Sequence, residues 1–192
     1  MSLNKQAKVL SKAQVVALSA FITGTRYPVR NQAVLLLSVK AGLRAKEIAG
    51  LTWDMVTDAE GVLDNCIRLR NSASKGKSGR VIPLNRELSA ALQRLKREAG
   101  GSAYVITTER SDKTSPAAIV NLFAAWYKTV GLNGCSSHSG RRTFITKAAR
   151  KISTVGGSLR DVQMLAGHTA LGTTQRYIES DVKAQRRIVD LL

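Results

Sequence analysis

The residues of this sequence that could act on an anionic substrate lie in three segments. The first, GLRAKEIAGLTW (42–53), places Arg44 after a helix-stopping glycine. Glu47 follows three residues later on the same helical face, where its carboxylate could hold the guanidinium. The second, SASKGKSGRVIPL (72–84), places lysines at the tip of an expected hairpin. Taken singly, an Arg–Glu pair and a charged turn are typical of solvent-exposed surface.

The third segment contains both histidines of the chain. In HSGRRTF, His138 and Arg141 are three residues apart, so the start of a helix would direct both side chains the same way. In LAGHTALGTTQRYI, Tyr177 comes nine residues after His168. At about 100° per residue, a continuous helix would put these two side chains on opposite sides. They can converge only if the helix breaks, and Gly172 offers such a break.

These residue types suit the transfer of a phosphodiester. The planar guanidinium of arginine matches two phosphate oxygens at once, and the reaction also needs a nucleophile and an acid for the leaving oxygen. A phenol with a pKa of about 10 is a poor nucleophile at neutral pH unless nearby cations favour its phenolate. Cys66 and Cys135 have no metal-ligand spacing, and the chain has no glycine-rich phosphate loop. We therefore expect neither a metal nor another cofactor.

The elements that must position these residues are predicted to be mainly helical. Apolar spacing, caps and glycine stops indicate helices over about 11–22, 30–41, 44–49, 85–99, 116–130, 141–151, 159–165 and 181–192. The β-branched runs TWDMV, NCIRLR and GRVIPL predict a small antiparallel sheet, with KGKSG as a hairpin loop. The predicted fold class is mainly α with a small antiparallel β-sheet (α+β).

The predicted organisation is one domain with two short appendages. Residues 1–10 resemble a loose basic lead-in, 11–180 the domain itself, and 181–192 a basic amphipathic helix. That last helix either packs against a neighbouring protomer or folds back on its own domain. Because so few residues precede the first helix, the chain is interpreted either as naturally short or as a fragment.

The charge of the chain points to a polyanionic partner. Thirty Lys and Arg against thirteen Asp and Glu give a formal net charge of +17 on a chain of 192 residues. Such a charge favours nucleic acid through the release of condensed counterions. The basic residues are spread along the chain, which favours a folded surface around a duplex, although a ribosomal or RNA-binding protein would have a similar composition. No apolar run approaches the ~20 residues that span a bilayer, and no signal pattern is present.

Taken in order, the motifs resemble those of the tyrosine recombinase (phage integrase) family. The order is an Arg with an acidic residue three on, a hairpin Lys, His-x-x-Arg, Gly-His, and a Tyr nine residues after that His. Each motif is weak alone, but the ordered set covers about residues 11–180. The resemblance implies the tyrosine recombinase catalytic-domain fold and an enzyme that breaks and rejoins DNA strands through a 3′-phosphotyrosyl intermediate.

The resemblance also implies roles for the basic residues. Arg44 and Arg141 would clamp the scissile phosphate, and Glu47 would orient Arg44. Lys75 would protonate the 5′ leaving oxygen, with Lys77 left open as an alternative.

The remaining roles are implied in the same way. His138 would assist proton transfer from the nucleophile, His168 would donate a further hydrogen bond to the phosphate, and Tyr177 would be the nucleophile. Four further residues are expected to bind DNA: Lys77, Arg80, Arg142 and Arg176.

The implied partner is double-stranded DNA, bound by a homo-tetramer on paired sites, with no membrane and no small-molecule substrate. The expected location is the bacterial cytoplasm, either at the nucleoid or encoded by a phage or mobile element. Three alternatives stay open: a recombinase-like accessory protein that has lost cleavage, a type IB topoisomerase, and an RNA- or ribosome-binding module.

Overall fold

The computed structural model of the chain describes residues 7–74, 78–178 and 189–190. Within these residues the fold is mainly helical with one two-stranded antiparallel sheet, which confirms the predicted fold class. The elements are α1 (Lys12–Thr23), α2 (Pro28–Ala41), α3 (Ala45–Ala49), β1 (Cys66–Leu69), β2 (Arg80–Pro83), α4 (Arg86–Glu98), α5 (Pro116–Thr129), α6 (Ser139–Lys151), α7 (Leu159–Ala166) and α8 (Leu171–Gln175).

Local capping explains where these helices begin and end. The side chain of Ser11 accepts from the N–H of Gln14, and the Gln14 side chain accepts from Ser11 in return. Helix α2 begins two residues earlier than predicted because Pro28 occupies its first turn, where no backbone N–H is required. It ends at Gly42, whose φ of 65° lies in the left-handed region that favours glycine.

The sheet contains two of the three runs predicted as strands. β1 and β2 pair antiparallel, with Cys66 opposite Pro83 and Leu69 opposite Arg80. The prediction for TWDMV is wrong, since Trp53–Met55 forms a short 3-10 helix. The backbone N–H of Met55 donates to the carbonyl of Thr52, and that of Val56 to the carbonyl of Trp53, which are the three-residue hydrogen bonds of a 3-10 turn.

Helix α2 lies at the centre of the core. It packs against α1, α4 and α6, and most of its residues are buried. A second, smaller cluster joins α6 to α7 through Ile145, Val162 and Ala166, with Tyr177 packed against it. The small cluster therefore connects the end of the domain that carries Tyr177 to the helix that carries Arg141.

The terminal segments differ in how far the structure describes them. Leu10 is fully buried and its N–H donates to the Thr143 hydroxyl at 2.7 Å, so the description of residues 1–10 as loose is wrong at that residue. The predicted helix at 181–192 lies outside the described residues except for 189–190. In the described part of the chain, no helix is both long and apolar enough to cross a membrane.

Candidate active site

Arg44 and Glu47 form a buried pair at the start of α3. Arg44 is the residue before the first turn of that helix. Its backbone N–H donates to Glu47 Oε2 at 2.9 Å and its Nη1 donates to Glu47 Oε1 at 2.7 Å. The Glu47 side chain is 0% exposed, so this is not the solvated surface pair that such spacing ordinarily produces.

Arg80 joins the same carboxylate from strand β2. Its Nη1 and Nη2 donate to the two oxygens of Glu47 at 3.1 and 3.0 Å, and its Nε donates to the carbonyl of Leu165 at 2.8 Å. Its side chain is only 5% exposed. Arg80 thus links α3 to the end of α7 through these donors, and its binding of DNA stays a prediction.

Glu47 is held ionised by these two arginines. Burial alone would raise the pKa of its carboxyl group, but the hydrogen bond and charge of Arg80, followed by those of Arg44, lower the pKa below its ordinary value. One buried carboxylate thus pairs with two guanidinium groups at once.

Arg141 occupies the first turn of α6 and connects three segments. Its Nη1 donates to the carbonyl of Gly42 at 2.7 Å, and its Nη2 donates to the carbonyl of Ala166 at 2.6 Å and lies 3.0 Å from Nε2 of His168. Burial, and then the charge of Arg44, lower its pKa to about 10, so it remains a cation at neutral pH. Its guanidinium therefore ties the end of α2 to the end of α7 beside Arg44.

His168 and Tyr177 converge, but not through the break that the sequence predicted. Gly172 lies inside α8. Helix α7 ends at Gly167, whose φ is 63°, and the break is the non-helical stretch 168–170 between α7 and α8. The His168 and Tyr177 rings then stack with centroids 5.5 Å apart and planes at 24°.

The surroundings of His168 keep its ring neutral at neutral pH. Burial, followed by the charges of Arg141, Arg44 and Arg80, lowers its pKa to about 4. The Thr174 hydroxyl lies 2.9 Å from its Nδ1. Sequence reasoning missed Thr174, because nothing in the local pattern marks a threonine six residues after a histidine.

Three other predicted site residues lie in α6 or next to α6 and α8. His138 is exposed at the residue before α6, three residues ahead of Arg141. Arg142 is half-buried and Arg176 is exposed. Lys75 and Lys77 lie outside the described residues, so their roles stay predictions.

A cavity of about 480 Å³ opens beside the cluster. Its walls come from three segments, namely the start of β2, α7 and the turn that carries His168, and they include Ser78, Arg80, Gln163, Gly167 and His168. Among the described residues, no group of three or more His, Cys, Asp or Glu side chains is arranged to hold a metal ion.

Comparison with known proteins gives consistent matches across most of the chain. The Phage integrase family model matches residues 8–184. Tyrosine recombinase XerA of Pyrococcus horikoshii is 32% identical over 165 residues, which cover 84% of this chain and 54% of that protein. Tyrosine recombinase XerC of Syntrophus aciditrophicus is 26% identical over 176 residues, which cover 85% and 53%. The chain thus spans about half the length of these relatives.

Two solved structures share the fold. The crystal structure of XerA recombinase has a TM-score of 0.75 at 22% identity and covers 95% of this chain and 64% of that one. A structure of the Tn1549 transposon integrase with a circular intermediate DNA has a TM-score of 0.76 at 21% identity and covers 100% and 68%.

Proposed function

Because the chain belongs to the phage integrase family of tyrosine recombinases, we propose that it carries the catalytic domain of a site-specific recombinase. Such an enzyme breaks and rejoins DNA strands through a 3′-phosphotyrosyl intermediate. One observation carries the proposal: four residues from separate segments converge. Arg141 contacts His168, His168 stacks on Tyr177, and the charge of Arg44 acts on Arg141.

The charge balance of this cluster suits a phosphodiester. Arg44, Arg80 and Arg141 bring three positive charges, and Glu47 pairs with the first two. These four groups retain two positive charges, one of them on Arg141. A scissile phosphate would bring one negative charge against these two positive charges. The additional negative charge that develops in the transition state would be stabilised by the same arginines.

The proposed reaction is an in-line transesterification. The phenolic oxygen of Tyr177 attacks phosphorus and the bond from phosphorus to the 5′ oxygen breaks, which leaves a 3′-phosphotyrosyl bond. His138 receives the phenolic proton and Lys75, or Lys77, gives a proton to the 5′ oxygen. In rejoining, a 5′-hydroxyl attacks the phosphotyrosine. One phosphodiester bond replaces another in each step, so neither ATP nor metal is required.

Double-stranded DNA is the proposed partner. The net charge of +17 supports it, with Arg142 and Arg176 as proposed backbone contacts. Similar folds were solved bound to DNA, among them XerH on a difH substrate and a lambda integrase dimer on a core site. We propose that the protein acts in the bacterial cytoplasm, either associated with the nucleoid or encoded by a phage or mobile element, as four protomers on two DNA sites.

Covalent trapping tests the function directly. The protein is incubated without metal with DNA duplexes that are nicked next to the cleavage position. Cleavage then releases a short fragment with a free 5′-hydroxyl, which diffuses away and cannot rejoin. Wild type should give a protein–DNA band that survives denaturation. Tyr177→Phe should abolish it, whereas Tyr104→Phe, in the loop before α5, should keep it. A band that persists in Tyr177→Phe would show that another residue is the nucleophile.

A further inference from the structure

The His168 ring is contacted at both nitrogens, and the two contacts determine where its proton lies. Nη2 of Arg141 is 3.0 Å from Nε2, and Oγ1 of Thr174 is 2.9 Å from Nδ1. A guanidinium can only donate hydrogen bonds, so Nε2 must be an unprotonated acceptor. A neutral ring then carries its proton on Nδ1, from where it donates to the Thr174 hydroxyl.

We propose that Thr174 is a positioning residue: its hydroxyl holds His168 as the Nδ1–H tautomer, and His168 in turn orients the guanidinium of Arg141. The proposed tautomer is that of the protein without DNA, in which Nε2 lies against the Arg141 guanidinium. The effect on DNA cleavage rests on the proposed function, whereas the tautomer is a property of the protein alone.

The position of Thr174 fits this role in two further ways. It is 0% exposed, so water does not compete for its hydroxyl. Its backbone carbonyl accepts from the N–H of Tyr177 at 3.0 Å. The side chain of Thr174 thus contacts His168 while its backbone holds the residue that stacks on His168. One buried residue couples the orientation of Arg141 to the placement of Tyr177.

The charged groups around His168 support the neutral ring. Arg141, Arg44 and Arg80 all act on it from α6, α3 and β2, and each disfavours an imidazolium. Glu47 is the counter-charge, but it is paired with Arg44 and Arg80. The backbone of His168 is also held, because Gln163 Nε2 donates to its carbonyl at 2.9 Å.

Nitrogen NMR of the imidazole rings tests the tautomer. The chain has two histidines, and His138→Gln identifies which signals belong to His168. Wild type at pH 7 should show a protonated Nδ1 and an unprotonated Nε2, and His168 should stay neutral down to about pH 5. A protonated Nε2, or an imidazolium at pH 7, would overturn the proposal.

Variants of Thr174 test the positioning role. Thr174→Val keeps the shape and removes the hydroxyl, so Nδ1–H loses its acceptor: the Nδ1 signal should shift and its proton should exchange faster with water, while Nε2 stays unprotonated beside Arg141. Thr174→Ser restores the hydroxyl and should restore the wild-type pattern. Thr173→Val, one residue earlier on α8, is the matched control and should change neither nitrogen. Unchanged His168 signals in a folded Thr174→Val protein would refute the role of Thr174.

Cleavage kinetics test the consequence for Arg141. On a nicked duplex, Thr174→Val should slow single-turnover formation of the covalent product about tenfold, with DNA affinity unchanged and Thr174→Ser close to wild type. An equal rate in Thr174→Val would contradict the orienting role. If wild type forms no covalent product on any duplex, the proposed function fails, while the NMR result still decides the tautomer.

Discussion

Replacing Glu47 with glutamine should destabilise the fold by about 3–5 kcal/mol. The carboxylate accepts four hydrogen bonds, two at each oxygen: Arg44 Nη1 and Arg80 Nη1 at Oε1, and Arg44 N and Arg80 Nη2 at Oε2. A glutamine amide has one acceptor oxygen and one NH₂ group. In either orientation two of the four bonds are lost, and each hydrogen bond to a charged group contributes about 1.5–3 kcal/mol.

The prediction is tested by chemical denaturation of wild type and Glu47→Gln at neutral pH. Their free energies of unfolding are compared provided that the two proteins have the same m-value. Glu87→Gln is the matched control. Glu87 pairs with Lys40 at 2.6 Å, but its side chain is 63% exposed, so the loss should stay below about 1 kcal/mol. If Glu47→Gln also lies within about 1 kcal/mol of wild type, the buried pair does not stabilise the fold and the reasoning from burial is wrong.

Acid pH gives the same prediction a second measurement. The pKa of Glu47 is lowered in the folded protein, because hydrogen bonding and charge from Arg80 and Arg44 outweigh the effect of burial. On acidification the unfolded chain therefore binds a proton before the folded one does. The stabilisation is complete above the unfolded pKa of about 4.3 and is lost as the pH falls through the folded value. The difference between wild type and Glu47→Gln should shrink over that range.

Three further predictions concern the leaving group, the turn before His168 and the C-terminal segment. If Lys75 is the general acid, Lys75→Ala should cleave an ordinary DNA strand slowly. Its cleavage rate should return towards that of wild type on a duplex with a 5′-bridging sulfur, because a thiolate leaving group needs no protonation. If the cleavage rate of Lys77→Ala is restored instead, Lys77 is the general acid. Gly167→Ala should lower the free energy of unfolding by at least about 1 kcal/mol more than Gly131→Ala. Both glycines have a positive φ, but a Cβ at 167 would meet the Arg80 side chain, whereas the space at 131 is open. Equal losses of unfolding free energy in chemical denaturation would show that the contact with Arg80 has no effect. Deleting 181–192 should impair assembly on DNA, measured by sedimentation, before it impairs monomer folding, and unchanged assembly would argue against an intermolecular role.

The helices could be predicted because their signals are local. The Ser11 capping box, the stop at Gly42 and the cap at Ser115 each act within one helical turn, and the structure confirms all three. TWDMV was mistaken for a strand because its β-branched and aromatic composition is also compatible with a buried turn. In the fold, Met55 and Val56 donate to carbonyls three residues earlier, and composition alone does not distinguish that turn from a strand.

The spacing of His168 and Tyr177 predicted that a helix must break between them, but it did not predict where. Their separation of nine residues required a break, and the two rings do stack. The sequence prediction placed that break at Gly172, which lies inside α8. The break lies instead at 168–170, since the left-handed Gly167 ends α7, whose last carbonyls accept from Arg80 and Arg141.

By itself, the sequence determined the types and order of the candidate site residues, most of the helices that carry them and the net positive charge, since these depend on composition and on neighbours within a turn or two. Only the tertiary structure decided that Arg80 pairs with Glu47, and that His168 is a neutral ring between Arg141 and Thr174. Arg80 and Glu47 are 33 residues apart, and Arg141 and His168 are 27 apart. The strength of such pairs depends on how completely water is excluded around them, which is a property of the packed molecule.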